Sequence, residues 1–306
     1  MPRITPATGS GGHNTSMSLL DELLLSTSRE VFLREHYLRL PFAASGGGTA
    51  LTKSDSAEIV RKIIDVQGAD VLVSRNGELW RDGPISSAQV PEMLQQGFTI
   101  GLRHCERHDP ELEDLAARFE SDFEAPVDVH LYWTPAGAAG LGWHYDVEDV
   151  FLLQTRGKKE WSLRKNTVNP WPILETLPQN MRYERETSPM QKCLLHAGDW
   201  LYVPAGYWHS TFAPEESISI SVGLLTQTGL SVLDYVTLQL AESMLWRQRL
   251  PVSGTAASLN SEELQGKYRS RFEELAGDLA RLLTQPWFAE RYLEYQRTRF
   301  GRERAR

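Results

Sequence analysis

Between Val127 and Leu225 the chain is a succession of short strand-forming runs broken by tight turns. The runs are Val127 to Trp133, Val147 to Gln154, Glu160 to Leu163, Lys192 to His196, Trp200 to Val203, Ser210 to Phe212 and Ser217 to Leu225. Gly198-Asp199 and Pro204-Ala205-Gly206 supply turn chemistry between them. Many short strands with tight turns point to a double-sheet jelly roll, a mainly β fold that carries its site in the mouth of the roll.

Inside this region lies His144-Tyr145-Asp146, and far downstream comes His209 in GDWLYVPAGYWHSTF. On an extended strand, residues two apart point to the same face. His144 and Asp146 can then both aim at one ion while Tyr145 points away, and His209 would open a neighbouring strand. Two imidazoles and one carboxylate can take one face of an octahedral Fe(II) and leave the opposite face open for a bidentate co-substrate and O2. Spacing alone leaves two readings open: a metal site, or a chance His-x-Asp beside a pair of tight turns.

Composition narrows the function classes. With 41% hydrophobic and 24% charged residues, this is an ordinary globular composition, and 306 residues allow one large domain or two. A net charge of −8 with no basic face argues against direct reading of nucleic acid. Two cysteines, Cys105 and Cys193, are too few for a disulfide framework or a zinc cluster. They fit a reducing compartment, so a cytoplasmic location is expected. No apolar run approaches a membrane span, and MPRITPATGSGGHNTS has no hydrophobic core for a signal peptide. Residues 1–16 read as disordered.

The stretch from Tyr132 to Trp161 resembles the JmjC oxygenases of the cupin superfamily, in particular their ribosomal-oxygenase-like branch. The resemblance rests on Tyr132, Thr134-Pro135, Gly137, Gly140, His144-Tyr145-Asp146, Asp149-Val150-Phe151, Leu153-Gln154, Gly157, Lys159 and Trp161. It continues in Gly198-Asp199, Leu201-Tyr202, Pro204, Gly206 and His209. It runs from about residue 17 to about residue 230 and implies a double-stranded β-helix of the cupin/JmjC type.

That resemblance implies iron ligation by His144, Asp146 and His209. It implies a 2-oxoglutarate anchor at the basic residue 15 positions after His144, which is Lys159. Lys158 and Lys159 would point to opposite faces of a strand, so a buried anchor and a solvated neighbour are compatible. Tyr132 is the expected second contact to the same carboxylate, with a plain half-buried aromatic as the other reading. His130 stands where close relatives often carry Asn and is read as lining the site. Ser219 and Ser221 share a face of the last strand, and Ser221 is taken as the further co-substrate contact. The activity implied is hydroxylation of a protein or peptide side chain with Fe(II), 2-oxoglutarate and O2, releasing succinate and CO2. A tailoring oxygenase for a small molecule or natural-product peptide, and a non-catalytic metal-binding cupin, remain as alternatives.

Flanking segments complete the expected layout. Residues 18–40, 55–65 and 87–95 read as helices, and Asn76-Gly77 as a hairpin turn between strands, giving an N-terminal α/β elaboration. His104 and His108 are four apart, but Asp109-Pro110 reads as a helix start, so both are taken as structural. The polar, proline-rich run 166–189 is expected to border the substrate entrance. The catalytic domain is expected to span 17–228. Residues 229–306 then form a helical segment that the resemblance implicates in a homodimer, with too little chain left for a winged-helix domain. Helices that simply cover the barrel are the other reading.

Overall fold

The computed structural model describes residues 18–25, 27–51, 53–80, 83–177, 186–252 and 262–303. The N-terminal run 1–16 that the sequence reads as disordered, most of the 251–260 linker, the middle of the 166–189 loop and the last residues of the basic tail lie outside the described residues. The chain divides into two compact units, 1–225 and 226–306.

In the first unit, helices α1 (Leu19–Leu24) and α2 (Arg29–Glu35) precede strand β1 (Phe42–Ala44) and helix α3 (Ser56–Ile64). Strands β2 (Asp70–Arg75) and β3 (Glu78–Leu79) form the expected hairpin. Asn76 and Gly77 both take positive φ, 55° and 81°, which is the backbone a two-residue type I′ turn demands. The expected helix at 87–95 is a 3₁₀ turn followed by α4 (Val90–Gln95) with proline in its first turn. Then come β4 (Thr99–Arg103) and α5 (Pro110–Phe123), whose cap Asp109 accepts the N–H groups of Glu111 and Leu112.

The roll is built from β5 (Val127–Thr134), β6 (Asp149–Arg156), β7 (Lys158–Arg164), β8 (Met190–His196), β9 (Trp200–Val203), β10 (Trp208–Phe212) and β11 (Ser217–Leu224). Among the described residues these strands and β1 to β4 make two antiparallel sheets, one of eight strands in the order β1-β9-β6-β11-β5-β4-β2-β3 and one of three in the order β10-β7-β8.

Alternation along the strands separates two environments. On β5 and β11, Val129, Leu131, Trp133, Ile218, Ile220 and Val222 face a core shared with the N-terminal helices. Their neighbours His130, Tyr132, Ser219 and Ser221 face the inside of the roll. On β6, Phe151 and Leu153 join the outer core, while Val150 and Leu152 pack inward on Trp161, Leu163 and Leu201.

An aromatic cluster locks the helices to the strands that carry the site. Phe32 of α2 meets Tyr202 edge-on at 5.4 Å and Trp200 at 6.1 Å, and Phe151 meets Tyr202 at 4.9 Å. The Trp200 indole N–H donates to the Leu23 carbonyl at 2.9 Å, tying α1 to β9. Each such fully buried side chain contributes about 1.5–3 kcal/mol by removal from water, and edge-on pairs add about 0.5–1.5 kcal/mol.

The second unit holds α6 (Val232–Ala241), α7 (Glu262–Leu283) and α8 (Phe288–Glu303) around Tyr235, Val236 and Phe288. Helix α6 ends at Ala241 instead of continuing toward Leu250. Among the described residues no helix is long and apolar enough to cross a membrane.

Candidate active site

The His-x-Asp pair is not on a regular strand, and this corrects the sequence expectation. Strand β6 starts only at Asp149, and His144 forms an isolated bridge with His209. The segment before β6 breaks from strand geometry at Gly142, whose φ is 83°, and is held at discrete points. His144 and His209 exchange backbone hydrogen bonds of 3.1 and 2.8 Å, and the Gly206 N–H donates to the Asp146 carbonyl at 2.8 Å. His209 does not open its strand but lies one residue inside β10, opposite Leu163. Tyr145 packs edge-on against Trp208 at 4.7 Å and also lines the cavity.

One ligand-type atom from each of His144, Asp146 and His209 lies within 4.8 Å of the others. His209 Nε2 is 3.4 Å from Asp146 Oδ2, and the two imidazole rings are 4.2 Å apart. The Nδ1 of His144 is 2.9 Å from the Gly142 carbonyl, and that of His209 is 3.0 Å from the Tyr207 carbonyl. A carbonyl only accepts, so both ring protons belong on Nδ1, and each Nε2 carries a free lone pair. Backbone carbonyls that set the tautomer in this way are the usual support of metal-ligating imidazoles. Burial, reinforced by neighbouring His144, pushes His209 down to about 4, so it stays neutral at physiological pH.

The triad opens into a cavity of about 370 Å³ that also receives Tyr132, His130, Lys159, Ser219 and Ser221. Lys159 is 3% exposed, and its ammonium donates to Ser219 Oγ at 2.9 Å. Burial pushes it down to about 7. Lys158, on the opposite face, pairs with Glu215 at 3.5 Å at the surface. Ser219 is thus the serine at the lysine, while Ser221 lies opposite His130 across the strands. The Tyr132 hydroxyl is 3.5 Å from His130 Nδ1, and burial raises its pKa so that it remains a donor. Burial lowers the pKa of His130, keeping it neutral. Several cavity-lining polar atoms, Thr99 Oγ1, Thr134 Oγ1, Trp161 Nε1 and His130 Nε2, are buried with no partner in the protein. Such atoms ask for a polar ligand.

Three carboxylates escaped sequence reasoning. Asp149 is buried and accepts from the Tyr202 hydroxyl at 2.6 Å and from Ala205 N at 3.2 Å, which pins the turn leading to His209. Glu148 fits against Gly223, where a Cβ would come within 2.0 Å of its Oε2. Burial, then Asp146 and Asp128, raise it to about 7. Glu186 draws the two ends of the 166–189 loop together, accepting from Thr167 N at 2.8 Å, Thr167 Oγ1 at 3.0 Å and Ser188 N at 2.9 Å. Burial opposes its charge, yet these donors hold it at about 2. Only Asp149 was marked in the sequence, as part of the Asp149-Val150-Phe151 run of the motif. Leu174 and Leu177 of the loop line the cavity, as expected for a segment at the entrance. His104 and His108 do not share a helix, because a 3₁₀ turn, Cys105–Arg107, separates them.

Residues 103–232 match the JmjC domain family. The matched span contains His130, Tyr132, His144, Asp146, Lys159, His209, Ser219 and Ser221. A Dictyostelium discoideum protein described as bifunctional lysine-specific demethylase and histidyl-hydroxylase NO66 is 32% identical over 149 residues, 47% of this chain and 28% of that protein. Ribosomal oxygenase 2 of Mus musculus is 29% identical over 225 residues, 69% of this chain and 47% of that protein. The chain therefore spans less than half the length of either relative. Among solved structures, YcfD, a ribosomal oxygenase from Escherichia coli in complex with cobalt and 2-oxoglutarate, superposes with a TM-score of 0.58 at 18% identity. The match covers 89% of this chain and 71% of that one. The likeness extends to the fold: the jelly roll of JmjC type expected from the sequence is the one found.

Proposed function

We propose that this JmjC domain is a 2-oxoglutarate-dependent oxygenase that hydroxylates a protein or peptide side chain. The carrying observation is a His144/Asp146/His209 cluster with both imidazole tautomers set by carbonyls, in one cavity with the buried lysine Lys159. Two nitrogens and one carboxylate suit Fe(II) with open positions, and YcfD, which shares this fold, binds cobalt and 2-oxoglutarate, in support of a metal and that co-substrate here. When bound, the metal and co-substrate supply O2 activation, with the balance R–H + 2-oxoglutarate + O2 giving R–OH + succinate + CO2.

The chain's own residues then have defined tasks. Lys159, backed by Ser219, pairs with the distal carboxylate of 2-oxoglutarate, and Tyr132 donates its hydroxyl to the same group. His130 and Ser221 line the cavity beside them. Trp161, Val150 and Leu152 exclude water from the inner wall.

A macromolecular substrate is favoured over a free small molecule by the entrance loop. Leu174, which lines the cavity, is 68% exposed, and Trp171 of the same loop is 85% exposed, apolar surface suited to a polypeptide. The relatives named as ribosomal oxygenases and histidyl-hydroxylase make ribosomal proteins the first substrates to assay. In the second unit, Leu233, Leu238, Phe272 and Leu293 are exposed, which supports homodimerisation through these helices.

The test is anaerobic addition of Fe(II) and 2-oxoglutarate, watched for the visible metal-to-ligand charge-transfer band. A band lost in His144→Ala and weakened in Lys159→Ala supports the reading. No band in folded, metal-loaded protein leaves a cupin with another ligand.

A further inference from the structure

A second set of metal-type donors includes His130, which lines the same cavity. His104, Asp128 and His130 each offer one ligand atom, and these atoms lie within 4.8 Å of one another. None of them belongs to the His144/Asp146/His209 cluster. Asp128 and His130 sit two apart on β5 and so share a face. His104 follows β4, the strand hydrogen-bonded beside β5.

The local geometry favours a bound cation. His104 adopts a left-handed backbone, with φ 54°, which a residue carrying Cβ rarely does. In that conformation its Nδ1 reaches Asp128 Oδ1 at 3.1 Å, and its ring lies 5.6 Å from that of His130 at 69°. His130 Nε2 is buried and has no partner in the protein. The side chains of His104 and Asp128 are 32% and 20% exposed, which leaves an entry path from solvent. A second carboxylate, Glu106, stands 4.0 Å from His104 Nδ1 and adds negative charge. Arg103, the nearby cation on β4, is engaged by Asp70 at 2.8 Å.

We propose that His104, Asp128 and His130 form a second divalent-metal site, of the zinc type, that shares with the cavity of the His144/Asp146/His209 cluster the side chain of His130. Two imidazoles and one carboxylate at a partly exposed position suit a borderline ion that keeps a water in its fourth place. Occupancy would fix the His130 ring, which faces the Tyr132 hydroxyl, and so couple the ion to the cavity. The proposal does not depend on the oxygenase reading.

The experiment is equilibrium dialysis of the untagged full chain against Zn2+ alone, with elemental analysis. Wild type is expected to retain two ions per chain, His104→Ala one, His209→Ala one, and the double variant none. Asp128→Asn, nearly unchanged in shape, replaces His104→Ala if circular dichroism shows that variant unfolded, and it too should retain one. One ion in wild type that disappears in His209→Ala overturns the second site and leaves the first standing. Two ions retained in both His104→Ala and Asp128→Asn also overturn it. Loss of an ion in His104→Ala but none in His209→Ala supports the second site and counts against the first cluster.

Discussion

His144 and His209 exchange both backbone hydrogen bonds, His144 N–H to His209 C=O at 3.1 Å and His209 N–H to His144 C=O at 2.8 Å. The bridge is made by main-chain atoms, so it survives loss of either imidazole. His144→Ala and His209→Ala should therefore keep the wild-type circular dichroism spectrum while weakening Co2+ binding by ~100-fold or more. Titration calorimetry with Co2+ checks this, and an unfolded His144→Ala would show that the bridge needs the side chain.

Lys159 makes opposite demands on stability and on binding. Burial lowers it from the ordinary 10.5 to about 7, so between those values the unfolded chain binds more protons than the folded one. The ligand-free protein should thus gain stability from this group as pH rises from 7 toward 10.5. Lys159→Met should flatten that rise and stabilise the ligand-free protein at pH 7 by about 1–2 kcal/mol. Denaturant melts of both proteins across this range measure the difference.

The same group sets the pH dependence of anion capture. An ammonium is needed to pair with a dicarboxylate, so affinity for 2-oxoglutarate should fall as pH climbs above about 7. The limiting slope is about tenfold per pH unit. Calorimetric titration of metal-loaded protein at several pH values gives the slope, and a flat profile would remove Lys159 from the contact.

Tyr202 and Asp149 hold the approach to His209 through a buried 2.6 Å hydrogen bond. Tyr202→Phe should cost about 1.5–3 kcal/mol, the range for bonds to charged groups. It should also weaken metal binding, because Asp149 also accepts from Ala205 N in the turn before His209. Urea melts and Co2+ affinity report the two effects separately.

Glu186 bonds both ends of the entrance loop, at Thr167 and Ser188. Glu186→Ala should cost about 1–3 kcal/mol locally by removing the charge-assisted hydrogen bonds from Thr167 and Ser188. Hydrogen exchange should speed up at Thr167 and Ser188 and leave β5 and β11 unchanged. Uniform acceleration would mean that the carboxylate supports the whole roll.

Sequence by itself determined what depends on neighbours along the chain. Asp109-Pro110 starts α5, Asn76-Gly77 turns a hairpin, and strand alternation buries Lys159 while Lys158 stays at the surface. These are local effects of side-chain shape and the two-residue period, and the motif of His144, Asp146 and His209 was legible with them. Tertiary structure alone decided what depends on pairing between distant segments. It set His144 on a single bridge rather than a strand, and put Ser219 rather than Ser221 at Lys159. It brought His104 to His130 instead of His108, and Glu186 to Thr167. Sheet register and loop closure fix these contacts, and both emerge only when the whole apolar core is packed.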